Sequence, residues 1–156
     1  MTEREKVEVW IYARKKGEAP EARSSATPAI QVLLLKMRPD RGGFWQPVTG
    51  SVEPGEALAS AALREAQEET GLEFAGPPQP LCYSFTFEGT GERRGLRFRE
   101  HGFALEVPGA TEPVKLDPHE HVEYQWLSAE EAFKLLHFSS NADMLRILIR
   151  NLSKER

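Results

Sequence analysis

Residues 54–70 leave the chain little choice of conformation. Pro54 stands near the start, Ala and Leu dominate residues 57–66, and Gly71 closes the run, which together predict an α-helix. Projected at the α-helical step of about 100° per residue, Ala59, Ala62, Leu63, Ala66 and Thr70 form one arc, expected to face a core. Glu65, Glu68 and Glu69 form the adjacent arc, at spacings where helical side chains are neighbours. Like charges so placed repel by a few tenths of a kcal/mol per pair. They also lie near the helix C-terminus, where the macrodipole disfavours negative charge. Breaking two local rules at once is a mark of functional sites. A divalent cation with hard-oxygen chemistry, Mg²⁺ or Mn²⁺, offsets such repulsion. The alternative is a solvated acidic face paired with Arg64.

The rest of the chain reads as strands alternating with two further helices. Val7, Val9 and Ile11 alternate with Glu8, Trp10 and Tyr12, as in a strand. Residues 15–28, rich in Gly, Pro, Ser and Ala, read as a loop, and residues 30–37 as a buried central strand. Residues 38–43 have turn chemistry. Residues 44–49 are a short strand weakened by Pro47. Residues 81–88 and 102–107 suggest an antiparallel pair joined by a basic loop over 89–101. Residues 122–127 suggest another strand. Ser128 with Glu131 is a capping-box signature for a helix through Leu136. Ser140 with Asp143 would cap a last helix that buries Met144, Leu145, Leu148, Ile149 and Leu152. This order favours a layered α/β or α+β fold in a single domain spanning 1–156.

Composition narrows the function classes. A 40% hydrophobic, 28% charged chain is ordinary for a globular domain. No apolar run approaches the roughly 20 residues that span a bilayer, and the polar start Met1–Lys6 is unlike a signal peptide. Cys82, the one cysteine, allows no intrachain disulfide, which suits a reducing cytoplasmic location. A net charge of −4 argues against general affinity for nucleic-acid backbone, and nothing points to a membrane.

The helix belongs to a longer pattern. Gly50 is followed after five residues by Glu56, after seven more by Arg64-Glu65, then Ala66, Gln67, Glu68-Glu69, Thr70, Gly71 and Leu72. This resembles the Nudix box at every fixed position, an agreement whose chance is on the order of 10⁻⁸ per starting point at average residue usage. Ala66 is the soft departure, small where a larger aliphatic is common. The resemblance implies an α/β/α sandwich with a mixed sheet between helices. It implies that Glu65, Glu68 and Glu69 hold Mg²⁺ (or Mn²⁺), that Arg64 orients a catalytic carboxylate, and that Glu56 braces Arg64. It further implies hydrolysis of a diphosphate linkage in a small-molecule substrate, with water attacking a metal-polarised phosphorus. Family members place the general base on the box or on a later loop; Glu120 is the later candidate and a further metal ligand, ahead of Glu123. His119 and His121 suit hard Mg²⁺ poorly and are read as orienting the loop or meeting solvent.

Substrate choice lies outside the box. The run from Phe44 to Glu53, with Trp45, Gln46 and Val48-Thr49-Gly50-Ser51-Val52, is similar to one in the bacterial dihydroneopterin triphosphate diphosphatases, as are Glu120-His121 and Ser139-Ser140-Asn141. That branch implies a pterin triphosphate cleaved with release of pyrophosphate. Nucleoside triphosphates, dinucleoside polyphosphates and nucleotide sugars stand as the alternative. A non-catalytic Nudix-like ligand sensor is a further one, against which the intact box argues. Arg38, Trp45, Gln46, Arg94, Arg97 and Arg99 are the candidate substrate contacts, since arginines bind phosphate oxygens as bidentate donors. Phe98 is a candidate stacking ring, and Trp45 has packing as its alternative role. The family resemblance leaves a homodimer open.

Overall fold

The computed structural model describes residues 3–14, 29–108 and 112–154. Residues 15–28, expected as a loop, lie outside them. The elements are β1 (Glu3–Arg14), β2 (Ile30–Met37), β3 (Trp45–Gln46), β4 (Val48–Ser51), α1 (Leu58–Thr70), β5 (Gln79–Glu88), β6 (Arg97–Glu106), β7 (His121–Ser128), α2 (Ala129–Leu135) and α3 (Ser139–Ser153).

Strand β1 is the axis of the sheet and is buried on both faces. Val7, Val9, Ile11 and Ala13 enter one core with Ala61, Ala62 and Ala66 of α1; Trp10 and Tyr12 enter another with Met144, Leu145, Leu148 and Leu152 of α3. Period-two alternation thus feeds two layers of helix, giving the expected α/β/α sandwich. The sheet runs β3-β2-β1-β6-β5, with β4 also on β1 and β7 also on β2. Only the β1–β6 pairing is parallel among these, so the sheet is mixed.

The sheet forks. The C-terminal end of β1 pairs with β2, while Lys6–Val9 pair with β4. β3 pairs instead with the far end of β2. Pro47, which has no N–H to give a ladder, stands where the chain crosses from one arm to the other. The single strand expected over 44–49 is therefore two short ones.

Helix α1 starts later than expected. Glu56 N–H donates to the Glu53 carbonyl at 3.0 Å, with Pro54 and Gly55 between them and Gly55 at φ 77°. Those are the residues and hydrogen bond of a type II turn, so Pro54 opens a turn and Leu58 the helix. The inward arc is also rotated from the expected one. Ala59 is exposed, whereas Ala61, Ala62, Ala66, Glu69 and Thr70 are buried. Glu69 lies within the sheet-facing arc rather than beside it. Two further expectations change. Residues 97–101 belong to β6, drawn into the sheet by β1 and β5. Ser140 makes no cap: α3 begins after Phe138 with no side-chain cap bond. The Ser128–Glu131 capping box forms as expected. Among the described residues no helix is long and apolar enough to cross a membrane.

Candidate active site

The site is built on one arginine. Arg64 meets Glu56 through two hydrogen bonds, Nε to Oε2 at 2.8 Å and Nη2 to Oε1 at 2.9 Å. The same guanidinium donates to the Ser51 carbonyl and to Glu65 Oε1, each at 2.9 Å, and to Glu68 Oε2 at 3.4 Å. Glu56 in turn accepts from the Glu53 N–H at 3.0 Å. These bonds join the 53–56 turn to helix α1. Hydrogen bonds from Arg64 and from the Glu53 N–H hold the Glu56 carboxyl down to about 2; the hydrogen bonds to Glu56 and Glu65 push the Arg64 guanidinium further up.

Glu65 reaches back over strand β4, and Gly50 makes that approach possible. A Cβ on Gly50 would fall 2.1 Å from Glu65 Cδ. Burial pushes the Glu65 carboxyl up, against the pull of Arg64. Glu69 is the unusual group. It is 8% exposed, and its Oε2 is buried without a hydrogen-bond partner. Burial, reinforced by the charges of Glu65, Glu120 and Asp117, pushes its carboxyl up to about 9, with Lys6 opposing.

Glu120 lies on the turn before β7, near enough for its charge to act on Glu69. Its own carboxylate stands 3.6 Å from Arg41 Nη1. Glu123, by contrast, sits on β7 opposite Lys36. Among the described residues no three acidic, imidazole or thiol side chains stand at metal-ligating spacing. Glu68 leans on Arg64 and Glu120 on Arg41. The donor set still suits a hard divalent cation: carboxylate oxygens only, one of them buried and unpartnered, and more negative charge than Arg64 offsets.

The candidate substrate residues scatter. Gln46 Nε2 lies 3.4 Å from His121 Nε2, whose ring is buried; burial lowers the pKa of that imidazole. Trp45 packs against the α3-side core, its ring 5.9 Å from Lys36 Nζ. Arg38 binds Asp40 at 3.0 Å and the His119 carbonyl at 3.4 Å. Arg94 is exposed on the turn before β6. Arg97 and Arg99 point to the α1 side of the sheet, and Arg99 is held by Glu3 at 2.8 Å. Phe98 is 4% exposed, with Lys6 and Arg93 over its ring, so that face is closed to stacking. Lys6 and Arg4 belong to no motif; the unbroken charged run Glu3-Arg4-Glu5-Lys6 that opens β1 is the only sequence signal they give.

Fold and box together define a Nudix domain. The chain belongs to the NUDIX domain family, whose model matches residues 23–148. It is 34% identical over 130 residues to the dihydroneopterin triphosphate diphosphatase of Escherichia coli K12, covering 78% of this chain and 84% of that protein. The solved structure of the E. coli dihydroneopterin triphosphate pyrophosphohydrolase superposes with a TM-score of 0.71 at 28% identity, covering 94% of this chain and 95% of that one. A Myxococcus xanthus protein named octanoyltransferase is 42% identical over 124 residues, which are 79% of this chain and 31% of that protein. The chain therefore spans about a third of that relative's length. The mouse asymmetrical bis(5'-nucleosyl)-tetraphosphatase is 34% identical over 109 residues, 70% of this chain and 71% of that protein.

A mutation isolates the arginine's role. Arg64→Lys keeps the charge but not the fork that serves Glu56, Glu65 and the Ser51 carbonyl together. Turnover should fall on the order of 10²-fold, since misplacement of catalytic groups by about 1 Å has that effect, and the melting temperature should drop. Full activity in the lysine variant would remove Arg64 from the site.

Proposed function

We propose that the chain is a Mg²⁺-dependent pyrophosphohydrolase that cleaves a diphosphate linkage in a pterin or nucleoside triphosphate and releases pyrophosphate, with dihydroneopterin triphosphate as the favoured substrate. The observation that carries the reaction is the buried, unpartnered Glu69 carboxylate beside a Glu65 held by Arg64. Glu65, Glu68, Glu69 and Glu120 would hold the metal. The ion would polarise the phosphoryl oxygens and lower the pKa of the attacking water. Arg64 and Glu56 keep Glu65 in place while Glu120, on its turn, accepts the proton of that water. The water oxygen bonds to phosphorus, the bridging P–O bond breaks, and the bridging oxygen keeps the electron pair and leaves on pyrophosphate. Support for the pterin substrate is the likeness to the E. coli enzyme across most of both chains, including the run from Phe44 to Glu53.

Dinucleoside polyphosphates are the second reading, supported by the likeness to the mouse tetraphosphatase. A panel of dihydroneopterin triphosphate, nucleoside triphosphates, diadenosine tetraphosphate and nucleotide sugars, assayed with Mg²⁺ for pyrophosphate against orthophosphate, separates the two. Highest kcat/KM on the pterin with pyrophosphate release is the expected outcome. Preference for the tetraphosphate would shift the assignment, and no turnover on any member would end it. Glu120→Gln should lower kcat by about 10²–10⁴-fold, the usual range for a general base, with a smaller effect on KM. An unchanged rate would place the base on the box.

A further inference from the structure

An open cavity of about 590 Å³ adjoins the turn at residues 51–56. Its opposite wall carries Arg4, Arg93, Leu96 and Phe98. Arg4 and Phe98 are partners in the parallel β1–β6 register and so share a sheet face, and Lys6, two residues along β1, shares it too. The Arg93 guanidinium carbon lies 5.7 Å from the Phe98 ring centroid and Lys6 Nζ 5.8 Å from it. Cations so seated on an aromatic ring have fewer rotamers to lose when an anion arrives. Arg4, Lys6 and Arg93 make no ion pair with any described carboxylate. Of the acids on the cavity wall, Glu56 is paired with Arg64 and Glu5 hydrogen-bonds His101, Glu53 remains, and the buried Glu100 stands across from Lys6. Three cations, Arg4, Lys6 and Arg93, thus gather around one ring in a chain that is net acidic.

The cavity is continuous with the catalytic bracket. Its Ser51 and Glu56 are the groups that anchor Arg64. Lys6 feels its cross-strand partner Glu100 most strongly, then Arg93 on the cavity side and Glu65 and Glu69 on the box side.

We propose that the cavity seats the substrate phosphates beyond the scissile linkage, the part that leaves as pyrophosphate. Arg4 and Arg93 are its direct ligands, and Lys6 is the charge that joins it to the box. This rests on the reading of the substrate as a polyphosphate. Arg97 and Arg99 do not line the cavity, and Arg99 is held by Glu3, so they take no part.

Calorimetric titration of the full chain with inorganic tripolyphosphate tests the assignment without turnover. The chain should bind it, the Arg4→Met/Arg93→Met variant should bind at least fivefold more weakly, and Arg99→Met should change affinity less than fivefold. Arg93→Met alone, on an exposed turn, gives the same direction should the double variant fold poorly. The assignment is overturned by absent binding to the parent chain, by a loss under fivefold in the double variant, or by an equal loss in Arg99→Met. Failure of the hydrolysis panel with these affinities intact would instead sink the proposed reaction alone. On a hydrolysed triphosphate the double variant should raise KM more than it lowers kcat.

Discussion

Glu69→Gln should reduce turnover by about 10²–10⁴-fold or more while the metal-free protein becomes more stable at alkaline pH. Both results come from one buried carboxyl. In the folded chain burial and neighbouring acids push its pKa to about 9, against an ordinary value of 4.5. Between those two pH values the native state holds one proton more than the unfolded chain. Stability therefore falls as pH rises through that window, by as much as about 1.4 kcal/mol per pH unit, and levels off above it. Glutamine has no proton to lose, so its variant should lack this slope. The difference in melting temperature between variant and parent should be small near pH 5 and should favour the variant increasingly towards pH 9.

Divalent cation reverses the order. An ion bound only by the native state stabilises it by RT ln(1 + [L]/Kd), about 2.7 kcal/mol at a hundredfold excess over Kd. Mg²⁺ should raise the melting temperature of the parent at pH 8 and do so much less for Glu69→Gln. Thermal melts across pH with and without Mg²⁺, beside steady-state rates, check both halves. A stability difference independent of pH, or a variant with near-normal turnover, would show that Glu69 is not the charged group at the centre of this site.

Much of the site was legible because the box carries its own local physics. Glutamates at helical spacing next to an alanine-rich stripe place the carboxylates together before any tertiary contact is known. The Glu56–Arg64 bracket is only eight residues apart in the chain, within one turn and one helix. What the pattern could not place was the rotation of α1. Helical periodicity assigns an apolar arc, and Ala59 and Leu63 are as apolar as Ala61; only the sheet decides that Glu69 faces inward. The arginines after residue 89 illustrate the same limit. Their number in a basic, glycine-containing stretch suggested a loop, but β1 pairs in parallel with Arg97–Glu106 across some ninety residues of chain. That pairing turns Arg99 towards Glu3 and sets Arg4 beside Phe98, neither of which a local reading contains. Strand β1 also shows a buried acid that no motif demanded: Glu8, which accepts hydrogen bonds from Trp10 at 2.8 Å and Asn141 at 2.9 Å. Asn141, on α3, thus ties that helix to the sheet.

Gly50→Ala should fold and yet lose most of its activity. At Gly50 the demand is for space. Gly50 is not among the residues with positive φ, so alanine meets no backbone strain. Its methyl would lie 2.1 Å from Glu65 Cδ, 2.3 Å from Cγ and 2.4 Å from Oε2, distances that no side chain tolerates. Glu65 is the end of a long side chain and can swing away, whereas β4 is fixed by four register pairs with β1. The carboxylate is therefore the part that moves, out of the grip of Arg64 and away from Glu69. A displacement of about 1 Å or more at a catalytic group costs on the order of 10²-fold in rate, so kcat should fall by that amount. Mg²⁺ affinity should weaken as well, because one of the proposed ligand carboxylates is displaced. The double variant Gly50→Ala/Glu65→Ala separates this account from general damage: once Glu65 is gone the added methyl has nothing to push, so the two changes together should be no worse than Glu65→Ala alone. Losses that multiply would mean that Gly50 acts on the site by some other route, and Gly50→Ala at parental activity would mean that Glu65 does not need its place over β4.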